Sequence, residues 1–315
     1  MTNEQKVTQP KKKSFFSEWL QYQFKEMRKN GSLYLFMLPY LLVFIVFTVL
    51  PVFVAIYYSF TYFNVLEPPK FIGWENYVRL FTADDLFMTS FKNTLFFAVI
   101  IGPGGFVLSL FFAWLINELG RRTRAVMTLF YYAPCLANVY VVWKIIFSSD
   151  QYGLLNGFLM NLGITLTNIR WLEDTTYIVP CCLIVILWSS LGTSFLTFIA
   201  GLQNVDRTLY EAGAIDGVKN RWQELWFITL PYMKPQLMFG AVMSITGAFS
   251  VGAAITALVG FPSQDYCANT LIHLLEDYAN SRMEMGYACA IAVLLFLMMI
   301  VTNKIIKKLL SKVGE

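Results

Sequence analysis

EAGAIDGVKNRWQELWFITLP, residues Glu211–Pro231, lies between two runs that carry no charge, Thr175–Val205 and Pro235–Gln264. The stretch itself holds Glu211, Asp216, Lys219, Arg221 and Glu224, and a Gly217 where a helix would stop. A polar, helix-forming insert of this kind between two such runs makes sense if the runs cross a bilayer and the insert joins them in water.

The rest of the chain repeats the pattern. Four more uncharged blocks are Asn30–Leu66, Asn93–Asn117, Ala125–Trp143 and Met285–Asn303, and each of the six has at least 19 residues. A helix needs about 20 apolar residues to cross a hydrocarbon core of about 30 Å. A soluble domain averages about a quarter charged residues; this chain has 14% among 315 residues, with 57% apolar. Six buried helices would need far more polar chain to cover them in water. Block length and the lack of alternating ten-residue segments indicate helices rather than a barrel. The expected fold is therefore an all-α membrane protein with six spans, near 33–59, 93–117, 125–147, 178–200, 236–259 and 285–303.

Charge gives the orientation. With the N-terminus inside, segments 1–32, 118–124, 202–234 and the tail from Lys304 hold 18 of the 24 Lys and Arg residues. Of the 20 acids, 9 lie in those segments and 11 elsewhere. A bias confined to basic residues is what the positive-inside rule requires, so both termini are expected in the cytoplasm. The first apolar run starts near Leu33 and is too long for a cleaved signal peptide.

Residues 11–29, KKKSFFSEWLQYQFKEMRK, place Phe16, Trp19, Leu20, Phe24 and Met27 on one helical face. That fits a helix lying in the anionic inner leaflet, with lipid rather than nucleic acid as its partner. The domains read from the sequence are this segment at 1–30, a six-helix transmembrane bundle at 31–308 and a tail at 309–315. Gly102, Pro103, Gly104 and Gly105 are expected to loosen or bend the second span. Leu154, Leu155, Phe158, Leu159 and Leu162 are expected to form a short interfacial helix on the far leaflet.

Cys135, Cys181, Cys182, Cys267 and Cys289 lack metal spacing and read as small buried hydrophobes. A lone His273 makes neither a metal site nor a relay. No P-loop, HExxH or GxSxG motif is present, so no catalytic residue, metal or cofactor is assigned. A self-powered carrier usually has an ionisable residue or a broken helix near midplane. The blocks show neither, and the energy is expected to come from another chain.

In the opening stretch, Asp206 can cap a helix over about Arg207–Ile215, with small Ala212, Gly213 and Ala214 inside it. Asp216-Gly217 is a turn signal. A second limb, about 219–229, aligns Trp222, Leu225, Trp226 and Thr229 at helical spacing and is expected to stop at Leu230-Pro231. The residues alone fit two readings, a hinge that receives a push and an inert connector.

Glu211-Ala212-Gly213-x-x-Asp216-Gly217, followed by Ile228-x-Leu230-Pro231, resembles the EAA loop of binding-protein-dependent ABC transporter permeases. The frame is similar to the carbohydrate-importer family that includes the maltose transporter membrane subunits, over about residues 30–308. YLFMLPYLL, SFTYFNV, FIGWENYVRLF, FKNTLFF, YYAPCLANVYVVWKIIF and YGLLN stand in the matching order. Two positions depart: Gly213 replaces the second Ala of the triplet, and Asp206 stands where the family has proline.

The resemblance implies a type I ABC importer permease in a bacterial cell membrane. It pairs with a second, unlike permease, receives solute from an extracellular or periplasmic binding protein, and is driven by a cytosolic ATPase dimer that holds the ATP. Glu211, Ala212 and Gly213 would then seat in the ATPase, with Asp216, Gly217, Leu230 and Pro231 shaping the loop. Candidates for the solute path are Asn138, Tyr140, Trp188, Ser189, Ser190, Thr193 and Ser194, each of which also fits helix–helix hydrogen bonding or packing at the lipid interface. A neutral sugar is expected, because the spans lack the buried Arg or Lys that a phosphate would favour. Glycerol phosphate is the alternative solute, and a secondary carrier the alternative class.

Overall fold

The computed structural model describes Lys29 and residues 31–136 and 139–310. The chain forms two compact units, residues 1–55 and 56–315. The in-plane helix expected over 11–29 falls, apart from Lys29, outside the described residues, as do Asn138 and residues 311–315.

The chain opens with helix α1 (Gly31–Phe44), a π turn at Ile45–Val49, and α2 (Leu50–Ser59). The π turn closes through Leu50 N–H to the Ile45 carbonyl, directly before Pro51. Proline has no N–H and its ring crowds the carbonyl four residues back. A wider turn at that point relieves the crowding without ending the helix.

A two-stranded antiparallel ladder follows, β1 (Thr61–Tyr62) with β2 (Lys70–Phe71), pairing Thr61 with Phe71. Then come α3 (Glu75–Thr82) and α4 (Asp85–Asn117). Helix α4 runs unbroken through Pro103. Its glycines serve close approach: a Cβ on Gly102 would lie 3.7 Å from Ala248, and one on Gly105 only 2.7 Å from Ser190 Oγ.

Helices α5 (Arg121–Leu136) and α6 (Tyr140–Ile146) differ in direction by 83°. Helix α7 (Leu154–Asn161) exposes Leu154 and Phe158, with Leu162 beyond its end, as the interfacial reading expects. Helices α8 (Thr175–Ser189) and α9 (Thr193–Gln203) are interrupted at residues 190–192. The loop contributes α10 (Arg207–Ile215), α11 (Arg221–Glu224), a π turn and α12 (Leu230–Tyr232). Helices α13 (Lys234–Phe249) and α14 (Gly252–Val259) meet at 46°. The chain closes with α15 (Leu271–Glu276) and α16 (Met285–Leu310).

Among the described residues, four helical stretches are long and apolar enough to cross a membrane: Leu35–Ser59, Asp85–Asn117, Thr175–Gln203 and Met285–Leu310. The two bent pairs raise the number to six if each is one span. In the second unit α4 is central, packed on α8, α9, α13 and α15. Its core has three patches, around Phe97, Cys182 and Ile255, around Phe195, Phe198 and Met233, and around Leu80, Phe87 and Ile291.

Asparagines pin the connecting segments. Asn76 donates to the Ser59 and Thr61 carbonyls at 2.9 and 3.0 Å. Asn93 donates to the Tyr266 and Asn269 carbonyls, while Thr94 Oγ1 accepts from Leu271 N–H at 2.8 Å. Asn156, fully buried, donates to the Ile169 carbonyl at 3.0 Å and accepts from Trp171 Nε1 at 2.9 Å. His273 accepts from Thr270 N–H on Nδ1 at 3.0 Å, which leaves Nε2 to face Thr256 Oγ1 at 2.9 Å. Burial lowers its pKa, so the imidazole is a neutral structural bracket. Of the cysteines, Cys181 and Cys182 are buried as expected, but Cys135 is exposed and Cys267 and Cys289 are half-buried.

Candidate functional site: a hinged loop and a hydroxyl-lined cavity

The loop begins where Asp206, in extended backbone, accepts from Thr208 N–H at 3.0 Å and caps α10. That bond holds the Asp206 carboxyl below its ordinary pKa. The cap is therefore intact at neutral pH and weakens only as pH falls through the depressed value. Helix α10 ends in a Schellman turn: Gly217 has φ +93°, its N–H donates to Ala214, and Val218 N–H donates to the Gly213 carbonyl at 2.9 Å. Only glycine takes that conformation without strain.

Glu211 and Ala212 are exposed on α10, whereas Gly213 is buried. Gly213 faces the second limb, where a Cβ would lie 2.5 Å from Ile228 Cδ1 and 3.6 Å from Val218 Cγ2. Tyr210 Oη and Thr229 Oγ1, 2.9 Å apart, join the limbs a second time. The Cδ1 methyl of Ile228 is the free end of a flexible side chain, so Gly213→Ala is expected to be accommodated. With alanine's helix preference it should stabilise the loop by up to about 1 kcal/mol. Gly213→Phe should instead force the limbs apart at a cost of about 1–3 kcal/mol. Thermal melts of the purified protein distinguish the two.

The second limb departs from the expected regular helix. Asn220 caps it by accepting from Gln223 N–H at 2.9 Å, but only residues 221–224 are α-helical before the π turn Leu225–Thr229. Leu230 N–H closes that turn on the Leu225 carbonyl, directly before Pro231. This repeats the arrangement at Pro51, and the helical path continues to Tyr232 rather than stopping at Pro231. The π turn also splits the expected apolar stripe: Thr229 and Leu230 are buried, while Trp222 and Trp226 are exposed. A cavity of about 450 Å³ opens beside the loop, lined in part by Glu118, Arg124, Arg207, Glu211 and Arg221.

A second cavity, about 420 Å³, lies where the interrupted helices meet. Of the path candidates it gathers Tyr140, Ser189, Ser190, Thr193 and Ser194. Trp188 is not among its lining residues; it stacks edge-on against Trp143, 5.5 Å between centroids. The sequence reading missed Ser244, Thr246 and Ser250. The hydroxyls in MSITGAFS, residues 243–250, were their only signal, and nothing in that run marks which way they face. The interruptions at 190–192 and at Ser250–Val251 also correct the expectation that no span is broken. Irregular backbone at such depth is tolerated where it lines a cavity.

The lining hydroxyls have a common polarity. Ser189, Ser190, Thr246 and Ser250 donate to the Val185, Leu187, Val242 and Thr246 carbonyls at 2.7–3.0 Å. Ser194 donates to the Gly240 carbonyl at 3.1 Å and lies 3.1 Å from Ser244 Oγ. With their protons committed to protein carbonyls, these hydroxyls turn lone pairs to the cavity, an acceptor-rich wall without a cationic side chain.

Comparison with known proteins gives a consistent context. A family model described as "Binding-protein-dependent transport system inner membrane component" matches residues 105–314. The arabinooligosaccharides transport system permease protein AraP of Bacillus subtilis (strain 168) is 29% identical, over 89% of this chain and 89% of its own. The sn-glycerol-3-phosphate transport system permease protein UgpA of Pectobacterium atrosepticum is 30% identical, over 87% of this chain and 92% of its own. A crystal structure of a bacterial ABC transporter that imports the acidic polysaccharide alginate contains a chain of similar fold. Its TM-score is 0.76 at 21% identity, covering 93% of this chain and all of that one.

Proposed function

This chain belongs to the binding-protein-dependent transport system inner membrane components, and from that premise we propose that it is a permease subunit of an ATP-driven importer of a neutral sugar or oligosaccharide. It crosses the bacterial cell membrane six times, with both termini in the cytoplasm. It pairs with a second, unlike permease, takes solute from a binding protein outside, and is driven by a cytosolic ATPase dimer. The loop Glu211–Pro231 meets the ATPase with Glu211 and Ala212, while Gly213, Gly217 and the π turn set the angle between its limbs.

The acceptor-rich wall of the mid-helix cavity carries the choice of solute. A sugar brings many O–H donors, which lone pairs can accept, and Tyr140 and Thr193 supply hydroxyls able to donate in return. Glycerol phosphate and acidic saccharides bring acceptor-only anions, which would face lone pairs with no cation to compensate. The lining gives a phosphate no Arg or Lys to pair with.

The test is uptake into proteoliposomes holding the permease pair, ATPase and binding protein. A panel of neutral saccharides is expected to drive ATP-dependent uptake, and excess glycerol phosphate should leave it unaffected. Efficient competition by glycerol phosphate would reverse the choice. Ser244→Trp, which fills the cavity, is expected to lower uptake by about tenfold or more, with the ATPase still bound.

A further inference from the structure

The loop is strung between α9 and α13, yet its second limb is also fastened to the end of α4. Trp222 packs on Trp114 with ring centroids 4.7 Å apart and planes at 47°. Arg221 reaches Glu118 at 3.6 Å while its other nitrogen pairs with Glu224 at 2.7 Å, so one guanidinium bridges two segments. The receiving end is itself braced: Arg124 Nη2 donates to the Asn117 carbonyl at 2.8 Å and the Leu119 carbonyl at 3.1 Å. A cation on the last carbonyls of a helix is also favoured by the helix dipole.

Helix α4 then carries this attachment to the cavity. It is unbroken from Asp85 to Asn117, and Gly105, against Ser190 at the interruption of α8 and α9, lies nine residues before Trp114. At 1.5 Å per residue that is about 14 Å of stiff helix. Farther along, Asn93 and Thr94 hold the segment at Tyr266–Leu271.

We infer that Trp114, Glu118, Arg221 and Trp222 form a latch that makes α4 a third carrier of the loop's movement, beside α9 and α13. The inference rests on the functional reading above. Movement of the second limb pulls the end of α4 through the packed indoles, and Gly105 shifts against Ser190 where solute passes. These four are positioning residues, acting on the path through the helix rather than touching solute.

The experiment uses the complete complex in proteoliposomes and reads ATP hydrolysed per solute moved. Trp114→Ala and Trp222→Ala are each expected to raise that ratio about threefold or more. The double variant should rise no further than the larger single, because both remove one contact. Trp222→Phe, which keeps an aromatic face, should return the ratio to within about twofold of wild type. A wild-type ratio in both alanine variants overturns the latch, as does an additive rise in the double. If the alanine variants do not assemble, Glu118→Gln removes the ion pair and keeps the packing; an unchanged ratio there overturns the latch equally. A wild-type complex that moves no neutral saccharide with ATP overturns the functional reading and the latch together.

Discussion

Glu211→Lys is expected to reduce ATP-driven uptake by about tenfold or more and to release the ATPase during co-purification, while the permease still inserts and folds. The expectation follows from where the side chain sits. Glu211 is exposed on α10, next to the exposed Ala212 and two residues before the buried Gly213. The contacts that hold the limbs together belong to Tyr210 and Gly213, on either side of it. A lysine at 211 therefore leaves the fold of the loop alone. What it changes is the sign of the charge offered to a docking surface, and reversing a charge at an interface costs several kcal/mol when it meets its own kind. Pull-down of the ATPase and uptake should fall together. Unchanged uptake with the ATPase still bound would remove Glu211 from the coupling surface.

Much of this arrangement is legible before any coordinates. The Asp206 cap and the Gly217 stop are local rules, and α10 obeys them at both ends. The uncharged blocks mark the apolar helices because burial in lipid leaves no room for unpaired charge. The FIGWENYVRLF, FKNTLFF and YGLLN motifs are visible too, but the work of Asn76, Asn93 and Asn156 is not. Asn76 and Asn156 bind carbonyls up to 17 and 13 residues away and Asn93 carbonyls 173 and 176 residues away in sequence, and no periodicity encodes such partners. The π turns before Pro51 and Pro231 are hidden for a related reason. A proline announces a problem for the helix, but whether the chain breaks or widens depends on what packs around it. The interruption at 190–192 is subtler still, since WSSLGTS reads equally well as continuous helix with hydroxyls bonded back to the preceding turn.

Gly286→Val carries the largest expected effect on stability, and it lies at a glycine the sequence gives no reason to single out. Gly286 begins α16 against the ladder strand that follows α2. Its N–H donates to the Phe63 carbonyl at 3.0 Å, and a Cβ would run into the Thr61 carbonyl oxygen. The obstruction is backbone, and it is held in place: Asn76 binds that same Thr61 carbonyl at 3.0 Å, and β1 is paired to β2. Unlike the Ile228 methyl facing Gly213, the Thr61 carbonyl has no rotamer by which to step aside. Either the strand or the start of α16 must move, and with α16 go the packed Tyr287, Ala290 and Ile291. Overpacking of this kind costs about 1–3 kcal/mol in a yielding site and more against fixed backbone. Gly286→Val is therefore expected to lower the melting temperature clearly and to broaden the gel-filtration peak, with Gly286→Ala milder in the same direction. Gly120→Ala, where a Cβ meets nothing within 4 Å, is the matched control and should melt like the wild type. A Gly286→Val protein that melts with that control would show that the strand and α16 do not approach as closely as their hydrogen bond implies.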